Sequence, residues 1–111
     1  MSDAHEDFLA DLIGGRRTPG SGNGFANQMD VRNDTRLEPY PFALDGKSTR
    51  SKSITITLEM WAKAIEQAHG CNPGFGLRWY HDDRLRSSTD LIVVRASDFG
   101  ELLWEVRRNG L

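Results

Sequence analysis

Met29-Asp-Val-Arg-Asn-Asp-Thr-Arg-Leu-Glu-Pro-Tyr-Pro-Phe-Ala-Leu-Asp-Gly-Lys-Ser-Thr49 is the stretch on which the fold turns. From Tyr40 to Lys47 the residues alternate with a period of two, Tyr40, Phe42 and Leu44 on one face and Ala43, Asp45 and Lys47 on the other. Met29 and Val31 alternate with Asp30 and Arg32 in the same way. If residues 36–39 (Arg-Leu-Glu-Pro) close a four-residue hairpin loop, opposed residues have numbers summing to 75. Val31 then faces Leu44, Asp30 faces Asp45, and both apolar sets lie on one side. Directly opposed side chains have Cβ atoms roughly 4.5 to 5.5 Å apart, a separation at which like charges repel. A divalent cation between Asp30 and Asp45 offsets that repulsion, and Lys47 stands two residues further along the same face. Two hydrated surface acids with an ordinary lysine are the plainer reading, because an Asp-x-Lys triplet alone has little specificity.

Composition sets the frame for this hairpin. The chain has 111 residues, 38% hydrophobic and 27% charged, as expected for one globular domain spanning residues 1–111. No apolar run reaches membrane-spanning length, and the acidic start with Asp3, Glu6 and Asp7 lacks the apolar segment of a signal peptide. A cytoplasmic location and no membrane partner are the expectations. Cys71 is the only cysteine, which excludes an internal disulfide and any cysteine-based zinc site, and suits a small side chain at a helix end. His5, His69 and His81 have no ligand spacing. The net charge is −2, unevenly spread: residues 14–56 carry seven basic side chains against Asp30, Asp34, Glu38 and Asp45. With a cation on Asp30 and Asp45, that region becomes a basic surface suited to phosphate.

Before the hairpin, Asp3 and Glu6 have capping-box spacing, and Phe8, Leu9, Leu12 and Ile13 form a helical stripe over residues 4–13 that stops at Gly14-Gly15. Glu6 lies off the stripe, free to cap or to look into a neighbouring site. Arg16, Arg17 and a glycine-rich loop around Ser21 follow, either a phosphate-approaching segment or a plain flexible loop.

Beyond the hairpin, Arg50 and Lys52 sit in a polar connection next to Lys47. Leu58, Trp61, Ala62, Ile65, Ala68 and His69 give a second helix, core-facing through Trp61 and Ile65 and ending at Gly70, with Glu59, Lys63, Glu66 and Gln67 on a solvated face. Pro73-Gly74 reads as a turn, Phe75 to Tyr80 as a strand, and Leu91-Ile-Val-Val94 as a short buried strand. Ser97 is placed to cap a last helix whose stripe of Phe99, Leu102, Leu103 and Val106 faces inward. Trp104 projects away from that stripe.

This order and these residues resemble the PD-(D/E)xK nuclease superfamily, most closely the small archaeal and phage type of Holliday junction resolvase. The likeness runs from Glu6 to about Val94. Asp30 matches the motif's first acid and Asp45-Gly46-Lys47 its second half, with Met29 in place of the motif's proline; Glu6 and Ser21-Gly22 match a first-helix glutamate and a Ser-Gly segment. The resemblance implies an α/β, αβββαβ restriction-endonuclease-like core with a mixed central sheet flanked by helices, and a prokaryotic or phage origin. It further implies Mg²⁺ or Mn²⁺ held by Asp30, Asp45 and the Gly46 carbonyl, with Glu6 as a further ligand. The metal activates water and stabilises charge on the scissile phosphate, and Lys47 supports the transition state. Arg16, Arg17, Ser21, Arg50 and Lys52 hold DNA phosphates. The activity implied is metal-dependent, structure-selective endonucleolytic cleavage of branched DNA such as a four-way junction. The alternatives are a non-catalytic nucleic-acid-binding or interaction protein on the same fold, or a nuclease of ordinary duplex or single strands. Matched nicks on two strands need two sites, so a homodimer is expected, with Trp104 a candidate contact.

Overall fold

The computed structural model describes residues 3–18, 29–33 and 41–109. Ser21, the glycine-rich loop and the 36–39 turn lie outside them. The elements run α1 (Asp3–Leu12), β1 (Arg16–Arg17), β2 (Val31–Arg32), β3 (Phe42–Thr49), α2 (Leu58–Gln67), β4 (Asn72–Tyr80), β5 (Ser88–Val94) and α3 (Ala96–Arg108). The five strands form one mixed sheet in the order β1-β2-β3-β4-β5. Among the described residues only the β3–β4 pair is parallel, with α2 as its crossover, and these residues form a single α/β domain with three helices.

The hairpin register is the one that the alternation requires. Val31 pairs with Leu44 and Arg32 with Ala43, and the Asn33 N–H donates to the Phe42 carbonyl at 3.0 Å. The faces differ from the expectation at one point. Val31 and Leu44 pack with Leu9 and Ala10 of α1, whereas Met29 joins Ala43, Phe75 and Leu77 in the core under α2. A bend at Asp30 breaks the alternation, and because helices cover both sides of β3, both of its faces carry apolar residues.

Local chemistry explains the element ends. Gly14 takes the left-handed conformation (φ +63°) that closes α1, and the Gly15 N–H donates to the Ala10 carbonyl at 2.8 Å. Thr57 caps α2 by accepting the Met60 N–H at 3.0 Å, and Gly70 (φ +86°) follows its end.

Pro73-Gly74 is not a turn; both residues belong to β4. The Asn72 N–H reaches the Pro41 carbonyl on the β3 side, so the next residue's N–H would face the β5 side. There the β5 ladder ends at Val94 opposite Gly74, and proline loses no bond.

The helix faces are rotated from the sequence reading. In α1, Phe8 and Leu12 are exposed while His5, Glu6, Leu9 and Ala10 are buried. In α2, Ala64 packs inward with Met60 and Trp61, joined by Ala68 just past the helix, whereas Leu58 and Ile65 are exposed. Strand β5 is a sheet edge rather than a buried strand, with Leu91 and Ile92 exposed. In α3 Arg95, not Ser97, occupies the N-cap position and its side chain makes no capping bond. The α3 stripe is uncovered: Phe99, Leu102, Leu103 and Val106 are 37–53% exposed. Among the described residues, no helix is long and apolar enough to cross a membrane.

Candidate active site: an acid cluster on the hairpin

Asp30 sits at the bend just before β2, held by its backbone carbonyl, which accepts the Thr18 N–H at 2.8 Å. Its carboxylate Oδ2 accepts the Gly46 N–H at 2.7 Å, which brings it to the middle of β3. Asp45 is the neighbouring residue on β3, with its Oδ2 3.0 Å from Lys47 Nζ. Burial pushes the Asp30 carboxyl up to about 7; the Gly46 N–H opposes that rise, while the charge and hydrogen bond of Asp45 and the charge of Glu6 add to it. Asp30 is thus the residue that feels both other acids, Asp45 through charge and a hydrogen bond and Glu6 through charge.

Glu6 is buried. Its Oε1 lies 3.2 Å from Arg17 Nε, and Arg17 also approaches Asp7 at 3.8 Å. Arg17, expected among the phosphate contacts, is partly exposed and pairs with Glu6.

Gly46 sits in a tight place. A Cβ there would meet Asp30 Oδ2 and His5 Cε1, each at 3.3 Å, so a side chain would push the acid and the imidazole aside. His5, which has no assigned role in the sequence, is fully buried beside the site. Burial, and secondly the Arg78 charge, lower its pKa against the opposing pull of Asp90, which favours the neutral imidazole. Arg78 and Asp90 form a short ion pair (Nε–Oδ1 2.6 Å), and the Arg78 guanidinium stacks 5.0 Å from the Phe8 ring centroid.

On the α2 side of the sheet, a groove of about 310 Å³ is lined by Met29, Asp45, Lys47, Met60, Lys63, Ala64 and Gln67. Lys63 and Gln67 therefore line the same groove as Asp45 and Lys47. Their spacing of four on a helix is the signal available in the sequence, but which strand they face is a tertiary fact.

Arg50 and Lys52 are exposed in the turn that follows β3. Hydroxyls hold that turn: Thr49 Oγ1 and Ser51 Oγ are 2.8 Å apart, and Ser51 Oγ donates to the Ser53 carbonyl at 3.2 Å. Arg16 is exposed on β1. Arg32, counted in the basic segment, is instead buried and donates to the Ala68 carbonyl and to Cys71 Sγ. It is no part of a phosphate-facing surface.

Among the described residues, no group of three or more His, Cys, Asp or Glu side chains forms a ready metal cage. Asp30, Asp45 and Glu6 carry hard carboxylate oxygens, the donor type that suits Mg²⁺ or Mn²⁺ over softer ions. No family model, no curated protein and no solved structure matches the chain.

Proposed function

We propose that the protein is a metal-dependent, structure-selective DNA endonuclease of the Holliday junction resolvase kind, built on a restriction-endonuclease-like core and acting on branched DNA. The observation that carries this reading is the Asp30 carboxyl. It is held against Gly46 N–H and Asp45 although burial and neighbouring acids raise its pKa to about 7. Such a strained acid pair costs stability, and a cation site accounts for keeping it.

Asp30, Asp45 and the Gly46 carbonyl would hold Mg²⁺, with Glu6 behind them. The ion, when bound, supplies positive charge for a scissile phosphate and for an attacking water. Lys47, in reach of Asp45, orients that water and offsets charge that builds on the phosphate oxygens. Lys63 and Gln67 form the opposite wall of the groove and position the strand. Arg16, Arg50, Lys52 and Ser21 hold flanking phosphates without reading bases, which suits selection by DNA shape over sequence. Arg17 acts through Glu6, fixing its carboxylate.

The test is incubation of the pure protein with labelled four-way junction, linear duplex and single strand, in Mg²⁺ or EDTA. Junction cleavage in Mg²⁺ alone is expected, and Asp45→Asn should lower its rate about 100- to 1,000-fold, the range for loss of one preorganised electrostatic group. Divalent cation should raise the melting temperature of the parent but not of Asp45→Asn. Near-parent cleavage by Asp45→Asn would remove the site assignment. Tight DNA binding without any cleavage would leave the non-catalytic reading in its place.

A further inference from the structure

Two uncovered apolar surfaces of this chain meet at Arg95. The first is a ridge: Phe99, Leu102, Leu103 and Val106 fall within about 100° of the α3 surface at 100° per residue, and each is at least 37% exposed. Arg95 Nε pairs with Asp98 Oδ2 at 2.8 Å and Arg108 Nη2 with Glu105 Oε1 at 2.9 Å, and the exposed Arg107 flanks the ridge beside Leu103. The second is a groove of about 350 Å³ between the start of α2 and the end of β5, lined by Ile56, Leu58, Trp61, Val93, Val94 and Arg95 together with Thr57. Leu58 at its rim is 89% exposed, and among the described residues no α3 side chain lines it.

A 13-residue helix without tertiary packing is marginal in water, so the ridge needs cover. We propose that a second copy of the chain supplies it. In this arrangement each protomer lays its α3 ridge into the other's groove about a two-fold axis near Arg95. An isologous exchange of this kind satisfies ridge and groove on both copies at once. Ridge and groove together expose on the order of 600 Å² of apolar side chain per copy, counting an aromatic at 150–250 Å² when fully covered. With the polar rim this approaches the roughly 800 Å² per partner of a standard interface. The contact runs through the stripe, not through Trp104. The inference stands on packing alone and does not depend on the nuclease reading; the two fail separately.

The test is sedimentation velocity of the full chain up to roughly 200 µM, a concentration at which an interface of this size is populated. A dimer is expected, and Leu58→Asp and Leu103→Asp, both at exposed positions, should each weaken association at least tenfold with unchanged circular dichroism. Mixing Leu58→Cys protein with Leu103→Cys protein and a short bismaleimide should give cross-linked pairs, with the parent, whose Cys71 is buried, as the blank. A monomer throughout the range would overturn the proposal. So would self-cross-linking of Leu103→Cys in preference to the mixed pair, which would mean that helix meets helix, or association indifferent to Leu58→Asp.

Discussion

Helices α1 and α3 read alike in the sequence, each with an apolar stripe at helical spacing, yet they meet opposite fates. The buried side of α1 closes on the sheet, with Leu9 1% exposed. The difference lies in what the sheet offers. Under α1, β4 carries Gly76, and a Cβ there would lie 2.3 Å from Leu9 Cδ2, so the missing side chain forms the pocket that Leu9 fills. At the other end, β5 presents Leu91 and Ile92 outward, and α3 leaves the sheet after Arg95. A stripe shows that a helix needs a partner; the hollow in the facing surface decides whether the chain itself provides one.

The sharpest way to break this contrast is truncation on the two helices. Leu9→Ala should cost about 3 kcal/mol in chemical unfolding. Leu103→Ala, measured in dilute monomer, should cost less than about 0.5 kcal/mol. Equal losses would mean that α3 packs on its own domain in solution.

The next effect has the opposite sign and comes from the tightly packed end. The Asp30 carboxyl is raised to about 7 in the folded chain, well above its unfolded value, so the folded state holds the proton more tightly and loses stability as pH climbs from about 4 to about 7. Asp30→Asn, whose amide oxygen can still accept the Gly46 N–H, removes that loss. In EDTA it should stabilise the protein by about 2 kcal/mol above pH 7, where the full shift sets a ceiling near 4 kcal/mol, and by nothing below pH 4. A gain independent of pH would point to packing rather than to charge.

Two glycines give the smaller effects. Gly76→Ala should destabilise by about 2 kcal/mol, because the new methyl collides with Leu9 in a filled core. Gly100→Ala, within α3 where a Cβ meets nothing within 4 Å, should stabilise by about 0.5 to 1 kcal/mol through helix propensity. Thermal melts of both variants check the pair together.

What the sequence discloses follows the same division between local and tertiary causes. The pairing of Val31 with Leu44 was legible because alternation is local, whereas the bend at Asp30, which puts Met29 and Val31 on opposite faces, was not. The first and second helix ends were legible from Gly14 and Gly70. Pro73 misleads because its cost depends on where β5 stops, a fact about another strand. The run Leu91-Ile-Val-Val94 resembles a buried strand in composition, yet the sheet order makes it an edge. The shared groove of Lys63 and Gln67 with Asp45, and the pairing of Arg17 with Glu6, are not legible because the parallel crossover and the docking of α1, not spacing, set them.

Arg32 carries a consequence for how the protein holds together. Its guanidinium is buried on the carbonyl that ends α2, and Asp30 stands two residues before it in the chain. A buried charge needs such acceptors, and this one lies on another element. Arg32 therefore ties the strand that follows Asp30 to the end of the helix that carries Lys63 and Gln67.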